Sequence, residues 1–207
     1  MHATLNWTES GRQVVSAALE HPIGPTTVDE WLAMDHPVDG SRLELIYGYL
    51  HVTPPPTGQH QAATFRLARA IDNALRDAPS NDLHVVPGVG VKISTARRTA
   101  LIPDVVVIST KPVGAAFDAA QLVLAAEVWS PGNTRAERET KMAEYAGAGV
   151  PFFWAVNQAK TGRCTVTAYY LDRGRYVEEL TARPGTTVTI KKAAPVPVTF
   201  DPADLDP

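Results

Sequence analysis

Two apolar stretches of this sequence each carry one acid, and together they indicate the fold. The first is Ile102-Pro103-Asp104-Val105-Val106-Val107-Ile108, and the second is Leu122-Val123-Leu124-Ala125-Ala126-Glu127-Val128-Trp129. Both stretches are apolar with almost no alternation, which is typical of strands that are covered on both faces. The pattern therefore predicts two buried strands, with Asp104 at the head of one and Glu127 near the end of the next.

Buried acids of this kind need a partner. An unpaired ionised carboxylate in an apolar site costs several kcal/mol, so each acid must find a cation, hydrogen-bond donors or a proton. Two acids on neighbouring strands would also repel each other unless positive charge lies between them. A divalent metal supplies that charge, and Mg²⁺ prefers carboxylate oxygen. The alternative is that each acid forms a structural ion pair with an arginine, and the residues alone leave both interpretations open.

Glu44 and Lys141 are further candidates, each with a simpler interpretation. Glu44 alternates with Leu43 and Leu45, so it could lie on the outward face of an amphipathic strand. Lys141 follows Glu137 by four residues in a predicted helix, which favours a surface ion pair. Alternatively, Lys141 reaches the two acids and stabilises charge that develops on a reacting phosphate.

His60 and Cys164 carry weaker signals. His60 falls on the apolar face of a predicted helix at its start, where a hydrogen-bonded core histidine is the commoner outcome. Cys164, the single cysteine, excludes an internal disulfide framework and fits a reducing cytoplasm. We expect Cys164 in an exposed hairpin without a neighbouring base, which makes a thiol nucleophile a poor interpretation.

The spacing of apolar and turn residues predicts an alternating order of elements. The predicted helices are 27–34, 58–77 and 135–146, and the predicted strands are 42–46, 49–53, 84–93, 101–108, 122–129, 152–157, 164–171 and 175–180, with one or two short strands in 186–207. This order predicts an α/β layered domain with a mixed sheet that helices cover on at least one face.

Length and charge restrict the class of protein. A chain of 207 residues suggests one domain, and we expect an arm at 1–25, a domain at 26–200 and a tail at 201–207. The net charge of −3 counts against a generally cationic nucleic-acid binder but leaves room for a basic patch. No signal peptide is visible and the apolar runs are too short to span a bilayer, so the sequence predicts a cytoplasmic protein without a membrane segment.

A longer series of motifs resembles a known family. In order, the series is Glu44-Leu-Ile-Tyr-Gly48, Pro54 to His60, Pro103-Asp104-Val105, Glu127-Val-Trp-Ser-Pro131, Lys141, Tyr145 and Gly149-Val-Pro-Phe-Phe-Trp154. Together these motifs resemble the Uma-two family of bacterial restriction endonucleases, within the PD-(D/E)xK nuclease superfamily. The resemblance runs from about residue 26 to the C-terminus.

The resemblance implies a fold, an activity and a site. The fold is a restriction-endonuclease-like core, in which helices flank a central mixed β-sheet, with a C-terminal β extension. The activity is Mg²⁺-dependent cleavage of DNA, with Mn²⁺ as a substitute. Asp104 and Glu127 would hold the metal, Glu44 would join or support them, and Lys141 would act from the following helix, because Trp129 occupies the usual lysine position.

Supporting and DNA-binding residues are assigned more loosely. His60 and Gln59 are candidates for supporting the site. Four arginines are candidates for contacts to the DNA backbone: Arg66, Arg69, Arg97 and Arg98. A homodimer is expected, because cutting both strands of DNA is served by two-fold symmetry.

Three residues depart from the family pattern, and two other functions compete. Tyr47 stands where an aspartate usually precedes the turn glycine, Glu137 replaces an aspartate, and Asn157 replaces an aspartate and removes a charge. The first competing function is a catalytically inactive nuclease-like module that binds DNA or protein. The second is a metal-dependent hydrolase of a small phosphate ester, which would have a closed pocket.

Overall fold

The computed structural model describes residues 25–35, 37–79 and 82–207. The predicted arm at 1–25 lies outside the described residues except for Pro25. The described residues form three α-helices, α1 (Val28–Ala33), α2 (Gly58–Asp77) and α3 (Arg135–Gly147). They also form thirteen strands: β1 (Arg42–Ile46), β2 (Tyr49–Thr53), β3 (His84–Pro87), β4 (Gly90–Ser94), β5 (Thr99–Leu101), β6 (Val105–Ile108), β7 (Ala116–Asp118), β8 (Leu122–Trp129), β9 (Phe152–Gln158), β10 (Cys164–Asp172), β11 (Arg175–Ala182), β12 (Val188–Ile190) and β13 (Val198–Phe200). Short 3₁₀ helices occupy Ala119–Gln121 and Pro202–Leu205.

The strands form two large sheets and one small ribbon. The larger sheet has six strands in the order β11-β10-β9-β8-β6-β3, and the second has five in the order β2-β1-β5-β4-β7. The pair β8 and β9 is parallel, as is the pair β4 and β7, whereas the other neighbours are antiparallel. Strands β12 and β13 form the ribbon. The predicted mixed α/β architecture is therefore confirmed.

Three apolar clusters hold these layers together. One face of the six-stranded sheet packs on α2 and the ribbon, through residues such as Leu67, Ile71 and Phe200. The opposite face packs against α3 and the five-stranded sheet. The outer face of the five-stranded sheet is covered by α1 through Trp31. Part of each large sheet is thus covered on both faces, which explains the continuous apolar runs in the sequence.

Two predicted strands are wrong, because each is a pair of shorter strands in different sheets. The predicted strand 84–93 divides into β3 and β4 around Gly88, which has a φ of 61°. The predicted strand 101–108 divides into β5 and β6 around Pro103, which cannot donate to a sheet ladder. Because both halves of each stretch are apolar, the hydrophobic pattern alone did not reveal the change of sheet.

The environment of Cys164 also differs from the prediction. Cys164 begins β10, which lies between β9 and β11, and its side chain is fully buried rather than exposed. The thiol donates to the Gly162 carbonyl over 3.4 Å. Burial raises the pKa of the Cys164 thiol to about 11, so the residue is a core thiol.

The chain ends against α2. In the 3₁₀ helix Pro202–Leu205, the side chain of Leu205 is 1% exposed and belongs to the cluster around α2. Across the described ranges, no helix combines the length and the apolar character that crossing a membrane would require.

Candidate active site

Asp104 and Glu127 lie side by side because β6 and β8 are antiparallel neighbours. Val105 pairs with Ala126 and Val106 pairs with Ala125, so Asp104, one residue before β6, falls beside Glu127. The backbone N–H of Val128 donates to Asp104 Oδ2 over 2.7 Å. Both acids are only 2% exposed, as the sequence predicted.

Glu44 joins them from the other large sheet. In β1, Leu43 and Leu45 contact the α1 layer, so Glu44 points into the space between the two sheets. It is buried and accepts a hydrogen bond from the backbone N–H of Ile102 over 2.7 Å. The outward-facing interpretation of Glu44 is therefore wrong, because β1 is covered on both faces.

Lys141 on α3 links two of the three acids. Its Nζ lies 2.9 Å from Glu44 Oε1 and 2.8 Å from Glu44 Oε2, and 3.4 Å from Glu127 Oε1. One turn later, the Tyr145 hydroxyl donates to the same Glu127 oxygen over 2.8 Å. The surface pair of Lys141 with Glu137 is not formed, since Lys141 is buried and Glu137 accepts instead from Asn133.

The shared burial changes the proton affinities of these groups. Burial is the main reason that the pKa of Glu127 rises to about 8, and the nearby charges of Asp104 and Glu44 add to the rise against the attraction of Lys141. Burial alone would lower the pKa of Lys141, but Glu127 and Glu44 raise it above its usual value. The two acids therefore favour the charged form of Lys141, whereas burial favours the protonated form of Glu127.

Asp104 has partners of its own. Arg42 Nη1 lies 2.5 Å from Asp104 Oδ1, and His60 Nε2 lies 3.3 Å from Asp104 Oδ2. Burial would raise the pKa of Asp104, but the hydrogen bond from His60 and the charge of Arg42 hold it below its usual value. His60 and Arg42 thus favour the ionised form of Asp104, and the pair with Arg42 is the one that the arginine interpretation of the sequence allowed.

Helix α2 places His60 at this position. The Thr57 hydroxyl caps the helix by accepting from the His60 backbone N–H over 3.3 Å. The cap fixes the first turn where the loop from β2 meets the end of the six-stranded sheet. His60 Nδ1 is buried and has no hydrogen-bond partner within the described part of the chain, so the ring is oriented by its contact with Asp104.

The site residues line one pocket of about 370 Å³. The pocket contains Glu44, Asp104, Glu127, Lys141 and His60, all of which the sequence singled out. Its rim includes the exposed residues Pro54, Pro55 and Gly132, so the pocket is open to solvent. The pocket is therefore not the fully enclosed cavity that the small-ester hydrolase predicts.

The donor set fits a hard divalent cation. Burial and then the neighbouring charge of Asp104 raise the pKa of Glu127, so added positive charge would favour the ionised form of both carboxylates. In the described ranges, no group of three or more histidine, cysteine or acidic side chains has a metal-holding arrangement. Mg²⁺ commonly uses only one or two protein carboxylates together with waters and substrate phosphates, and the carboxylates of Asp104 and Glu127 are compatible with that chemistry in number and type.

The other predicted residues lie elsewhere. Gln59 is exposed and offers its backbone carbonyl to Gln158, outside the pocket. Arg66 and Arg69 line a separate pocket between α2 and the ribbon. Arg97 forms an ion pair with Glu144 over 3.0 Å, and Arg98 is exposed in the turn between β4 and β5. None of these arginines lines the pocket of the acids.

The sequence did not assign roles to Arg42 and Tyr145. Arg42 lies two residues before Glu44 in the same strand, and Tyr145 lies four residues after Lys141 in the same helix. The periods of strand and helix put each pair on one face. That spacing was a usable signal, but it becomes informative only once Glu44 and Lys141 are known to face the site.

Comparison with known proteins supports the same fold and family. The family model Uma2, described as "Putative restriction endonuclease", matches residues 28–203. A crystal structure of a "putative nuclease belonging to DUF820" from Anabaena variabilis ATCC 29413 is similar with a TM-score of 0.67 and 18% identity, covering 87% of this chain and 97% of that one. No curated protein gives a significant match. Because the family model spans most of the chain, the protein belongs to the Uma2 family of restriction-endonuclease-like proteins.

Proposed function

We propose that this protein is a metal-dependent DNA endonuclease with its active site at Glu44, Asp104, Glu127 and Lys141. The observation that carries the proposal is the convergence of three buried acids and one buried lysine in a single solvent-open pocket. Burying such a cluster costs free energy of folding, and a catalytic role, which the family suggests, would explain why the charges are there. The open rim supports a polymeric substrate.

A bound Mg²⁺ or Mn²⁺ would lower the pKa of a coordinated water and neutralise charge on the scissile phosphate. Asp104 and Glu127 would hold the ion. Arg42 and His60 keep Asp104 ionised and oriented, which prepares it as a ligand. Tyr145 and Lys141 fix the position of Glu127 through its Oε1 atom.

Lys141 has a separate task. Its ammonium group is held in the pocket by Glu44. The ammonium stays charged because Glu127 and Glu44 raise its pKa. An ammonium that is fixed in place and nearly buried can donate hydrogen bonds to the phosphate oxygens that gain charge during hydrolysis. Glu44 therefore acts as a positioning residue for Lys141, in addition to its predicted place beside the metal.

Plasmid nicking tests the proposal. Wild type is incubated with supercoiled DNA and Mg²⁺ or Mn²⁺, beside Asp104→Asn, Glu127→Gln and the exposed control Asp172→Asn. We expect wild type and the control to nick equally, and both site variants to lose at least about 100-fold in rate, which is the usual effect of removing electrostatic stabilisation. Equal nicking by wild type and Asp104→Asn, or no nicking by either protein, would contradict the proposal.

One observation favours the inactive binding module as a second candidate. Arg42 already occupies Asp104 Oδ1, so the arginine could satisfy this acid permanently. Among the ion pairs that the described residues form, Arg42 contacts Asp104 and not Glu127, although the charge of Glu127 adds to the rise in the Arg42 pKa. Calorimetric titration with Mn²⁺ separates the two candidates: the nuclease binds the ion and Asp104→Asn does not, whereas the module binds none.

The proposal includes a homodimer, since two-fold symmetry serves cleavage of both strands. Light scattering in solution should then give twice the chain mass.

A further inference from the structure

A second opening lies beside the site pocket at the same edge of the six-stranded sheet. It is a shallow groove of about 770 Å³, and its lining includes Arg138, Lys160, Arg163 and Arg183. Among the described residues, none that lines the groove is acidic. We call these four residues and the space between them the cationic groove.

Sheet topology brings the four cations to this edge. Strands β8 and β9 are parallel, and Trp129 pairs with Asn157, so both strands end at the same edge. Lys160 and Arg163 lie in the turn from β9 to β10, and Arg183 directly follows β11, in which Ala182 pairs with Val166. The loop after β8 joins the two openings, because Pro131 lines the groove while Ser130 and Gly132 line the site pocket.

Within the part of the chain that the structure describes, the cations of the groove form no ion pair with an acidic residue. Lys160, Arg163 and Arg183 are exposed, and none of them forms an ion pair within the described ranges. Arg138 donates to the neutral Asn157 amide oxygen over 2.7 Å and to the Ser130 carbonyl over 3.0 Å. Asn157 thus fixes the guanidinium without neutralising it.

Concentrated positive charge in a chain of net charge −3 calls for an anionic partner. Three strand spacings separate β8 from β11, or about 14 Å at about 4.8 Å each. That length matches about four base-pair steps of DNA at about 3.4 Å each. A small anion would occupy one of these cations, whereas a phosphate backbone can contact them in series.

We propose that the cationic groove binds the backbone of the DNA next to the scissile phosphate. This inference rests on the proposed nuclease function and identifies the surface that holds its substrate. It replaces Arg66, Arg69, Arg97 and Arg98 as the primary contact surface, because none of those residues lines the site pocket or the groove that adjoins it.

Salt-dependent DNA binding tests the groove. Binding of a fluorescent 20-base-pair duplex is measured by anisotropy in EDTA for wild type, for Arg163→Gln/Arg183→Gln and for Arg173→Gln/Arg175→Gln. The two double variants remove the same charges from the same β10–β11 hairpin, but at opposite ends. We expect the groove variant alone to bind at least about tenfold more weakly, with a salt slope flatter by about 1.8, since each phosphate contact contributes about 0.9.

A third variant tests charge without deleting a cation. Asn157→Asp keeps the acceptor for Arg138 but neutralises it, so binding should weaken although no basic residue is lost. If Arg163→Gln/Arg183→Gln binds DNA as wild type does, or if both double variants weaken binding equally, the groove does not bind the backbone. If poly-glutamate displaces DNA at equal charge concentration, the groove is a site for acidic protein and the inference is overturned.

Nicking assays on the same variants separate the two proposals. Cleavage by wild type together with unchanged DNA binding by Arg163→Gln/Arg183→Gln overturns the groove and leaves the nuclease intact. Groove-dependent binding without cleavage under any metal supports the groove and overturns the nuclease.

Discussion

Lys141 is the residue on which the buried charges of the site depend. It lies between Glu44 and Glu127 at hydrogen-bonding distances, and all three side chains are nearly inaccessible to solvent. Removing one partner of a buried ion pair leaves an uncompensated charge, which is far more costly than losing a surface pair. The same lysine is thus placed to matter for folding and for chemistry.

Replacing Lys141 should therefore destabilise the protein strongly. We expect Lys141→Met to lower the free energy of unfolding by about 3–5 kcal/mol, measured by urea denaturation. The control is Lys92→Met, which removes a lysine from the partly exposed pair with Asp118 at 2.8 Å and should cost at most about 1 kcal/mol. An equal loss of unfolding free energy in the two variants would contradict a buried charge cluster. Adding Glu44→Gln to Lys141→Met should recover part of the lost unfolding free energy.

Cys164 gives a pH-dependent prediction away from the site. Burial raises the pKa of its thiol from 9.0 to about 11, so between those values the folded protein holds a proton that the unfolded chain has lost. The stability from this group is complete below pH 9.0 and is lost as the pH rises through about 11. The difference in unfolding free energy between wild type and Cys164→Ala should shrink over that range.

Alkylation by iodoacetamide provides an independent check. At pH 8 the native thiol should react far more slowly than the urea-unfolded one, because thiolate is the reactive form. Rapid reaction of the native protein would mean that Cys164 is exposed, as the sequence suggested.

Among the elements, the β1–β2 hairpin contains Glu44 in β1, and its turn contacts α3, the helix that carries Lys141. Tyr47 and Gly48 form its turn with φ values of 53° and 84°, which suits a tight hairpin but is uncommon for tyrosine. The Tyr47 hydroxyl donates to Glu144 on α3 over 2.8 Å, and Arg97 binds the same carboxylate. The departure from the family's usual aspartate is thus accompanied by a contact between two sheet hairpins and the helix that carries Lys141.

The hydrogen bond from Tyr47 to Glu144 predicts that removing the Tyr47 hydroxyl alone lowers the stability of the protein. Tyr47→Phe should lower the free energy of unfolding by about 1 kcal/mol or somewhat more, because hydrogen bonds to charged groups are worth more than neutral ones. Tyr49→Phe, whose ring is 57% exposed, is the matched control and should change stability by less than about 0.5 kcal/mol. Thermal melts of the three proteins give the comparison, and equal melting temperatures would argue against the tie to α3.

At the scale of the whole molecule, charge is separated rather than balanced. The formal charges of Glu44, Asp104 and Glu127 add up to −3, the same as the formal net charge of the chain, and the three acids are buried in one pocket. The unpaired cations of the groove lie at the adjoining sheet edge. The net charge alone therefore argued against nucleic acid, although its distribution suits a metal-dependent enzyme with a local anionic partner.

The apolar stretches and their acids were sufficient to predict much of this protein. Unbroken apolar residues predicted strands that are buried on both faces. The cost of a buried carboxylate made Asp104 and Glu127 candidate site residues without any structure. The α/β architecture and most helix bounds follow from the 3.6-residue and two-residue periods. These properties are local, so the sequence by itself determined them.

Only the tertiary structure decided which residues meet. The change of sheet at Gly88 and at Pro103, the burial of Glu44 and Cys164, and the pairing of Arg42 with Asp104 all join segments that are distant in the chain. Whether a strand face is outer or inner depends on what another element places against it, and a period of two leaves both outcomes open. The groove likewise exists because parallel β8 and β9 end at one edge, a consequence of strand order that no local pattern contains.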